Sequence, residues 1–300
     1  MAIEYSLLIF TLFSGFAIGS TSLAAVAELV DFTQKSERFK EVSKWGAYLA
    51  LPCLIIGLAA SVFHLGRPLA FLNGLSNLGS SWISREGVFG ILFLILVAIY
   101  ALFWFLAGRG GAVSKVWRLV VGILSTLSAL ALVFSTGMAY AMVRAIPAWN
   151  TPLTILFFAV SAFLLGTLLV GTTLAVRSLR AKSVEEKAIL LASLQPFAGV
   201  GTILVITVMV VGGLRLVHLS VATTQAAGQS LSLVTSSLLG LTLARVIIGM
   251  VLPLVAMAYA WSKVRSRPET INTWMIVSFV CVLAGEVMAR ALFFLTAVHV

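Results

Sequence analysis

The chain has 300 residues, 61% of them hydrophobic and only 10% charged, with a mean hydropathy of +1.11. No soluble domain of this size buries that much apolar surface, and the formal charge of +10 is distributed too unevenly for a nucleic-acid surface. Apolar runs of about 20 residues or more, lacking the alternating ten-residue pattern of barrels, predict an all-α integral membrane protein.

Eight spans are expected, at residues 6–29, 46–65, 87–107, 117–143, 152–176, 188–218, 238–261 and 271–297, in one polytopic domain covering 1–300. The first is expected to stay as a membrane helix. Its one early charge is Glu4, it has no basic leader, and it is longer than a signal-peptide core. The fourth and sixth spans are long enough to tilt or project beyond the hydrocarbon. F-H-L-G at 63–66 and V-H-L-S at 217–220 hint weakly at two four-helix bundles.

Charge placement orients these spans. The N-terminal side of the membrane is face X and the opposite side face Y. Face Y segments 35–44, 109–118, 177–187 and 263–267 hold fourteen Lys and Arg, whereas face X loops hold Arg67, Arg85 and Arg144. The positive-inside rule makes face Y cytoplasmic and places both termini outside.

Intramembrane charges mark function or structural pairs. Arg215 and His218 close the sixth span at face X. Arg245, Glu286 and Arg290 fall in the outer halves of the seventh and eighth spans, so buried charge is expected almost entirely in the outer half. Glu286 and Arg290 are spaced for a helix ion pair, which Arg245 could share. Arg144, one turn from Tyr140, can equally serve as an interfacial anchor beside Trp149.

His64 ends the second span and Glu86 opens the third, with Gly66 and Pro68 turning the chain between them. A titratable base and a carboxylate together at one membrane face suit a lipid-soluble molecule that gives up protons, namely a quinol. Each also has an ordinary role: an interfacial His, or a carboxylate stabilising a helix dipole. Cys53 and Cys281 lie in apolar helices and are expected to pack. No GxGxxG, P-loop, HExxH or GxSxG pattern occurs, and no iron–sulfur cluster or metal site is expected.

The segment H-L-G-R-P at 64–68, followed by Asn73, Asn77, Gly79, Ser80, Ser84 and Glu86, resembles the membrane-anchor subunit family of bacterial dimethyl sulfoxide reductases. I-P-A-W-N-T-P at 146–152 and L-A-G-E-V-M-A-R-A-L-F-F at 283–294 resemble the same family. The resemblance implies a quinol-oxidising anchor in the bacterial cytoplasmic membrane. Such an anchor takes electrons from menaquinol and passes them to an iron–sulfur subunit, which feeds a molybdopterin catalytic subunit. It carries no haem, cluster or metal of its own. The family's quinol-site histidine and glutamate fall on His64 and Glu86. Around them Gly66, Arg67, Trp82, Ser84, Tyr140 and Arg144 are expected to contact the quinol, with Arg215, His218, Arg245, Glu286 and Arg290 as secondary candidates. Arg67 stands where a small residue is commoner in that family.

Two other classes fit parts of the pattern. His64 and His218 could be the axial ligands of a haem b cytochrome. Pro196, Gly199, Gly201 and Pro253 could interrupt helices, as in a secondary transporter.

Overall fold

The computed structural model describes residues 4–64 and 76–299, with His64 described by its backbone alone. Among the described residues there are nine helices and no strand. Eight are long and apolar enough to cross a membrane: α1 (Tyr5–Thr33), α2 (Lys40–His64), α3 (Trp82–Gly108), α4 (Lys115–Ala141), α5 (Leu153–Leu179), α6 (Val184–Val221), α8 (Leu239–Lys263) and α9 (Thr270–Leu295). Between α6 and α8 lies the short helix α7 (Gln225–Thr235).

The spans match the expected eight, with three corrections. Residues 219–237, left between the sixth and seventh expected spans, contain the helix α7, which Thr224 caps by accepting a hydrogen bond from the Ala227 N–H at 3.3 Å. Helix α3 starts at Trp82, five residues before the expected 87, so Glu86 lies in its second turn. The inner half of the bundle also holds a buried charge network. Glu28 on α1 accepts from the Tyr100 hydroxyl of α3 at 2.7 Å and from Arg118 Nε of α4 at 2.8 Å. Arg118 lies 4.1 Å over the Trp104 ring. Charges removed from water must be paired in this way, and three helices are tied together by the result.

α1 and α5 form the seam of the molecule. α1 packs on α2 and α4, α5 packs on α6 and α9, and the two cross each other between the halves. At the crossing a Cβ on Gly19 would collide with the Ala162 carbonyl oxygen, and one on Gly166 with the Gly19 carbonyl carbon. Only glycine permits that approach, which is how helices associate in lipid, where there is no water to drive them together.

α6 has 38 residues, about 57 Å at 1.5 Å per residue against a hydrocarbon core of about 30 Å. Ser183 caps it by accepting from the Glu186 N–H at 3.1 Å, and Pro196 lies inside it without ending it. α8 carries a π turn at Ile247–Val251, immediately before Pro253. Proline has no N–H to give to the carbonyl four residues back, so the widened turn falls where the α-helical ladder is already interrupted. Beside it Gly249 meets Gly285 of α9, where an added Cβ would come within 2.5 Å of backbone.

Face Y is laced by surface charges. Arg177 hydrogen-bonds Glu41, and Lys187 pairs with Glu269 at 2.9 Å. Glu37, between α1 and α2, accepts from Lys40 at 2.9 Å and from Lys115 at 3.0 Å, and these two ammonium groups bring its pKa down to about 2.

Candidate functional site

At face X, the start of α3 is built by short-range polar contacts. Ser81 accepts from the Ser84 N–H at 3.3 Å. Arg85 folds back to donate to the carbonyls of Leu78 and Gly79, both at 2.8 Å, and lies 4.2 Å over the Trp82 ring. Arg85 thereby closes the turn that precedes the helix. Trp82 meets Phe134 of α4 edge-on at 5.7 Å, and Ser84 is buried.

One turn further in, the half-buried Glu86 accepts a 2.6 Å hydrogen bond from the Thr136 hydroxyl of α4. α2 and α3 touch nearby, where a Cβ on Gly90 would lie 3.0 Å from Leu58. From that contact Glu86 is four residues, about 6 Å, toward face X along α3, and His64 six residues, about 9 Å, toward face X along α2. The backbone thus brings the end of α2 and the Glu86 turn to the same side of the bundle. The His64 side chain, Gly66 and Arg67 lie outside the described residues.

Tyr140, one turn beyond Thr136 on α4, leaves this polar group for an aromatic one. It stacks on Phe158 at 5.5 Å and meets Trp149 and Phe293 edge-on at 5.0 and 5.1 Å. The Trp149 indole N–H donates to the Phe293 carbonyl at 2.8 Å, and Asn150 donates to the Ala141 carbonyl at 2.5 Å. These bonds tie the 146–152 segment to α9 through Trp149 and to the end of α4 through Asn150. Arg144 is exposed in the turn after α4.

Behind the aromatic group lies a second polar cluster. Arg290 donates to Glu286 at 2.6 Å and to the Ser161 hydroxyl of α5 at 2.7 Å, and Ser161 in turn donates to Glu286. Glu286 and Arg290 are 4% and 1% exposed, which makes this triad part of the core. Arg215 donates to the Ala148 carbonyl at 3.2 Å, and Arg245 reaches the same region from α8. His218 is half-buried one turn beyond Arg215.

The expected residues therefore divide into two groups. Trp82, Ser84, Glu86 and the end of α2 form one, and Arg215, Arg245, Glu286 and Arg290 form the other, with Tyr140 on the partition between them. Sequence reasoning missed Thr136, Ser161 and Phe157, the ring around which the arginines gather. Among the described residues no group of three or more His, Cys, Asp or Glu could hold a metal ion.

Eight membrane-spanning helices, with two polar groups gathered at face X and the Glu28 network in the inner half, define a multi-pass membrane protein. The DMSO reductase anchor subunit (DmsC) family profile matches residues 1–295, and the chain belongs to that family. It is 39% identical over 130 residues to a sulfite dehydrogenase subunit of Allochromatium vinosum, covering 40% of each protein. It is 29% identical over 163 residues to an anaerobic dimethyl sulfoxide reductase component of Haemophilus influenzae, covering 54% of this protein and 56% of that one. Thus these two matches span between two-fifths and three-fifths of the relatives' own length. Against the YnfH component of anaerobic dimethyl sulfoxide reductase from Escherichia coli, identity is 27% over 296 residues, covering 97% of this protein and 94% of that one. The bd oxidase structure from Geobacillus thermodenitrificans superposes with a TM-score of 0.73 at 11% identity, covering 98% of this protein and 84% of that one, a likeness of fold alone. The eight spans and the family together make this a multi-pass protein of the bacterial inner membrane.

Proposed function

We propose that this chain is the membrane anchor and quinol-oxidising subunit of a respiratory molybdoenzyme complex. It takes electrons from menaquinol and passes them to an iron–sulfur partner subunit, which serves a molybdopterin catalytic subunit. The observation that supports this best is Glu86, a half-buried carboxylate at the face X end of α3, oriented by Thr136 on α4 and neighboured by the end of α2 at His64.

Oxidation of a quinol to a quinone releases two electrons and two protons. A neutral His64 imidazole would accept a hydrogen bond from one quinol hydroxyl and then its proton. Glu86 would bind the second hydroxyl, directly or through water, or relay the proton outward. Thr136 fixes one carboxylate oxygen, so the other is presented in a set direction. The electrons leave to the partner's cluster, and because tunnelling falls steeply with distance, that subunit would dock at face X. The charge distribution makes face X extracytoplasmic, so both protons would be released there.

One relative favours a second direction of flow. The protein that is 39% identical over its matched stretch is named a sulfite dehydrogenase subunit, and a dehydrogenase withdraws electrons from its substrate. In a complex of that kind the same two groups would deliver protons to a quinone being reduced. α6 runs unbroken through Pro196, Gly199 and Gly201, while α8 widens into a π turn ahead of Pro253 without leaving the helix.

The test is quinol-driven turnover in membranes carrying the full complex, comparing wild type with His64→Ala and Glu86→Gln. Dye-driven turnover of the partner subunits is measured alongside. The expected result is loss of quinol-driven turnover with the dye-driven rate intact. Unchanged quinol oxidation in both variants would move the site away from the α2–α3 end.

A further inference from the structure

Three guanidinium groups surround one ring. The guanidinium carbons of Arg215, Arg290 and Arg245 lie 4.7, 4.9 and 5.9 Å from the centroid of Phe157. Against these three cations stands one carboxylate, Glu286, already engaged by Arg290 and Ser161. Among the described residues Arg215 and Arg245 have no ion-pair partner, and Arg215 Nε and Arg245 Nη2 are shielded from solvent with no acceptor. Like charges at this separation repel, and a buried charged donor left without an acceptor is destabilising. An arrangement of this kind is completed by an anion.

Space for one is present. Arg215 and Arg245 line a cavity of about 260 Å³ between α6, α7, α8 and α9, with Phe293 as part of its wall. The rest of the lining is largely apolar. The Thr242 and Thr296 hydroxyls in it donate to the backbone carbonyls of Leu238 and Leu292 at 3.0 and 2.7 Å, which leaves the two guanidinium groups as its free donors. The cavity sits at the face X ends of the helices: Arg215 is six residues from the end of α6, Arg245 is in the second turn of α8, and Thr296 follows α9. Leu216 and Val246 at its border are 40% and 36% exposed, aliphatic side chains that a bilayer would cover with acyl chains.

We propose that this cavity binds a phosphate group, and specifically the phosphodiester headgroup of an acidic phospholipid whose chains run along Leu216 and Val246. A guanidinium fork matches phosphate oxygens in pairs, and two unpaired cations call for a full negative charge. A quinone carbonyl offers only a dipole. A free phosphate has the same headgroup chemistry but leaves the aliphatic border without a function. The inference stands on this cavity alone and does not depend on the quinol site at α2 and α3.

The experiment uses the full chain, within its complex, in nanodiscs of phosphatidylcholine doped with phosphatidylglycerol. Lipid retained after detergent extraction is counted by native mass spectrometry. Wild type should keep about one phosphatidylglycerol per chain, and Arg215→Gln or Arg245→Gln should lower retention about tenfold, the equivalent of one charge-assisted hydrogen bond. Gly213→Leu is the second variant, since it borders the cavity, its added Cβ would meet nothing within 4 Å, and leucine favours a helix over glycine. It should block the cavity and release the lipid while all three arginines remain. Equal retention in wild type and both arginine variants would overturn the proposal. Displacement of the lipid by millimolar inorganic phosphate, with phosphate then retained in its place, would overturn the assignment to a lipid.

Discussion

The Thr136 hydroxyl donates 2.6 Å to Glu86 and so joins α4 to α3 at the point where a carboxylate enters the membrane. Thr136 is 5% exposed, so its hydroxyl has no water to turn to if that bond is lost. The bond sets which oxygen of Glu86 can face a ligand, and it does so from a helix that contributes no charge of its own at this depth.

Thr136→Val keeps the shape of the side chain and removes the donor. A hydrogen bond to a charged group contributes about 1.5–3 kcal/mol, so quinol-driven turnover should fall by roughly ten- to a hundredfold. Dye-driven turnover should not change. Thr136→Ser, which retains the hydroxyl, should recover most of the rate, whereas a merely packing role for Thr136 would make Ser the worse of the two.

The Ser161–Glu286–Arg290 triad invites a stability test. Arg290→Met strands a carboxylate in the core, and breaking a buried pair from one side costs about 3–5 kcal/mol. Thermal unfolding of the detergent-solubilised chain should shift down sharply. The double variant Glu286→Gln with Arg290→Met removes the stranded charge and should recover a large part of the loss. Additive losses would show that the pair is not coupled.

Orientation can be checked by cysteine labelling in a background without Cys53 and Cys281. Arg144→Cys, exposed at face X, should react in intact cells with a membrane-impermeant maleimide, and Arg180→Cys, exposed at face Y, should react only after lysis. The reverse pattern would invert the topology and move proton release to the cytoplasm.

The spans were legible because a continuous apolar run has few alternatives in a bilayer. The Glu286–Arg290 pair was legible too, since spacing of four on a helix is a local property. What escaped the sequence was tertiary. Hydroxyls in apolar helices commonly return to their own backbone, as Ser125 does to the Val121 carbonyl at 2.7 Å. Nothing local separates Ser125 from Thr136 or Ser161, whose partners are 50 and 125 residues away. The same holds for Glu28, whose partner Arg118 is 90 residues distant and reads in the sequence as a loop charge. α7 was a missed signal rather than an absent one. Thr224 offers a cap, and the buried Ala226, Ser230 and Val234 recur every four residues, but their small size gives little hydrophobic contrast.

The π turn in α8 fixes the direction in which Arg245 points. Below it, Pro253, Met257 and Ala260 face the bundle, and continuing that stripe toward face X at 3.6 residues per turn leads through Met250 to Val246. One additional residue in a turn advances the outer segment by about 100° around the axis, which brings Arg245 round to Phe157 and the cavity. Rewinding this turn as ordinary α-helix with every residue kept would swing the guanidinium about 100° away from the cavity, toward the lipid. The chain would then keep all of its residues of chemistry and its eight spans, with its charged centre disassembled by rotation alone.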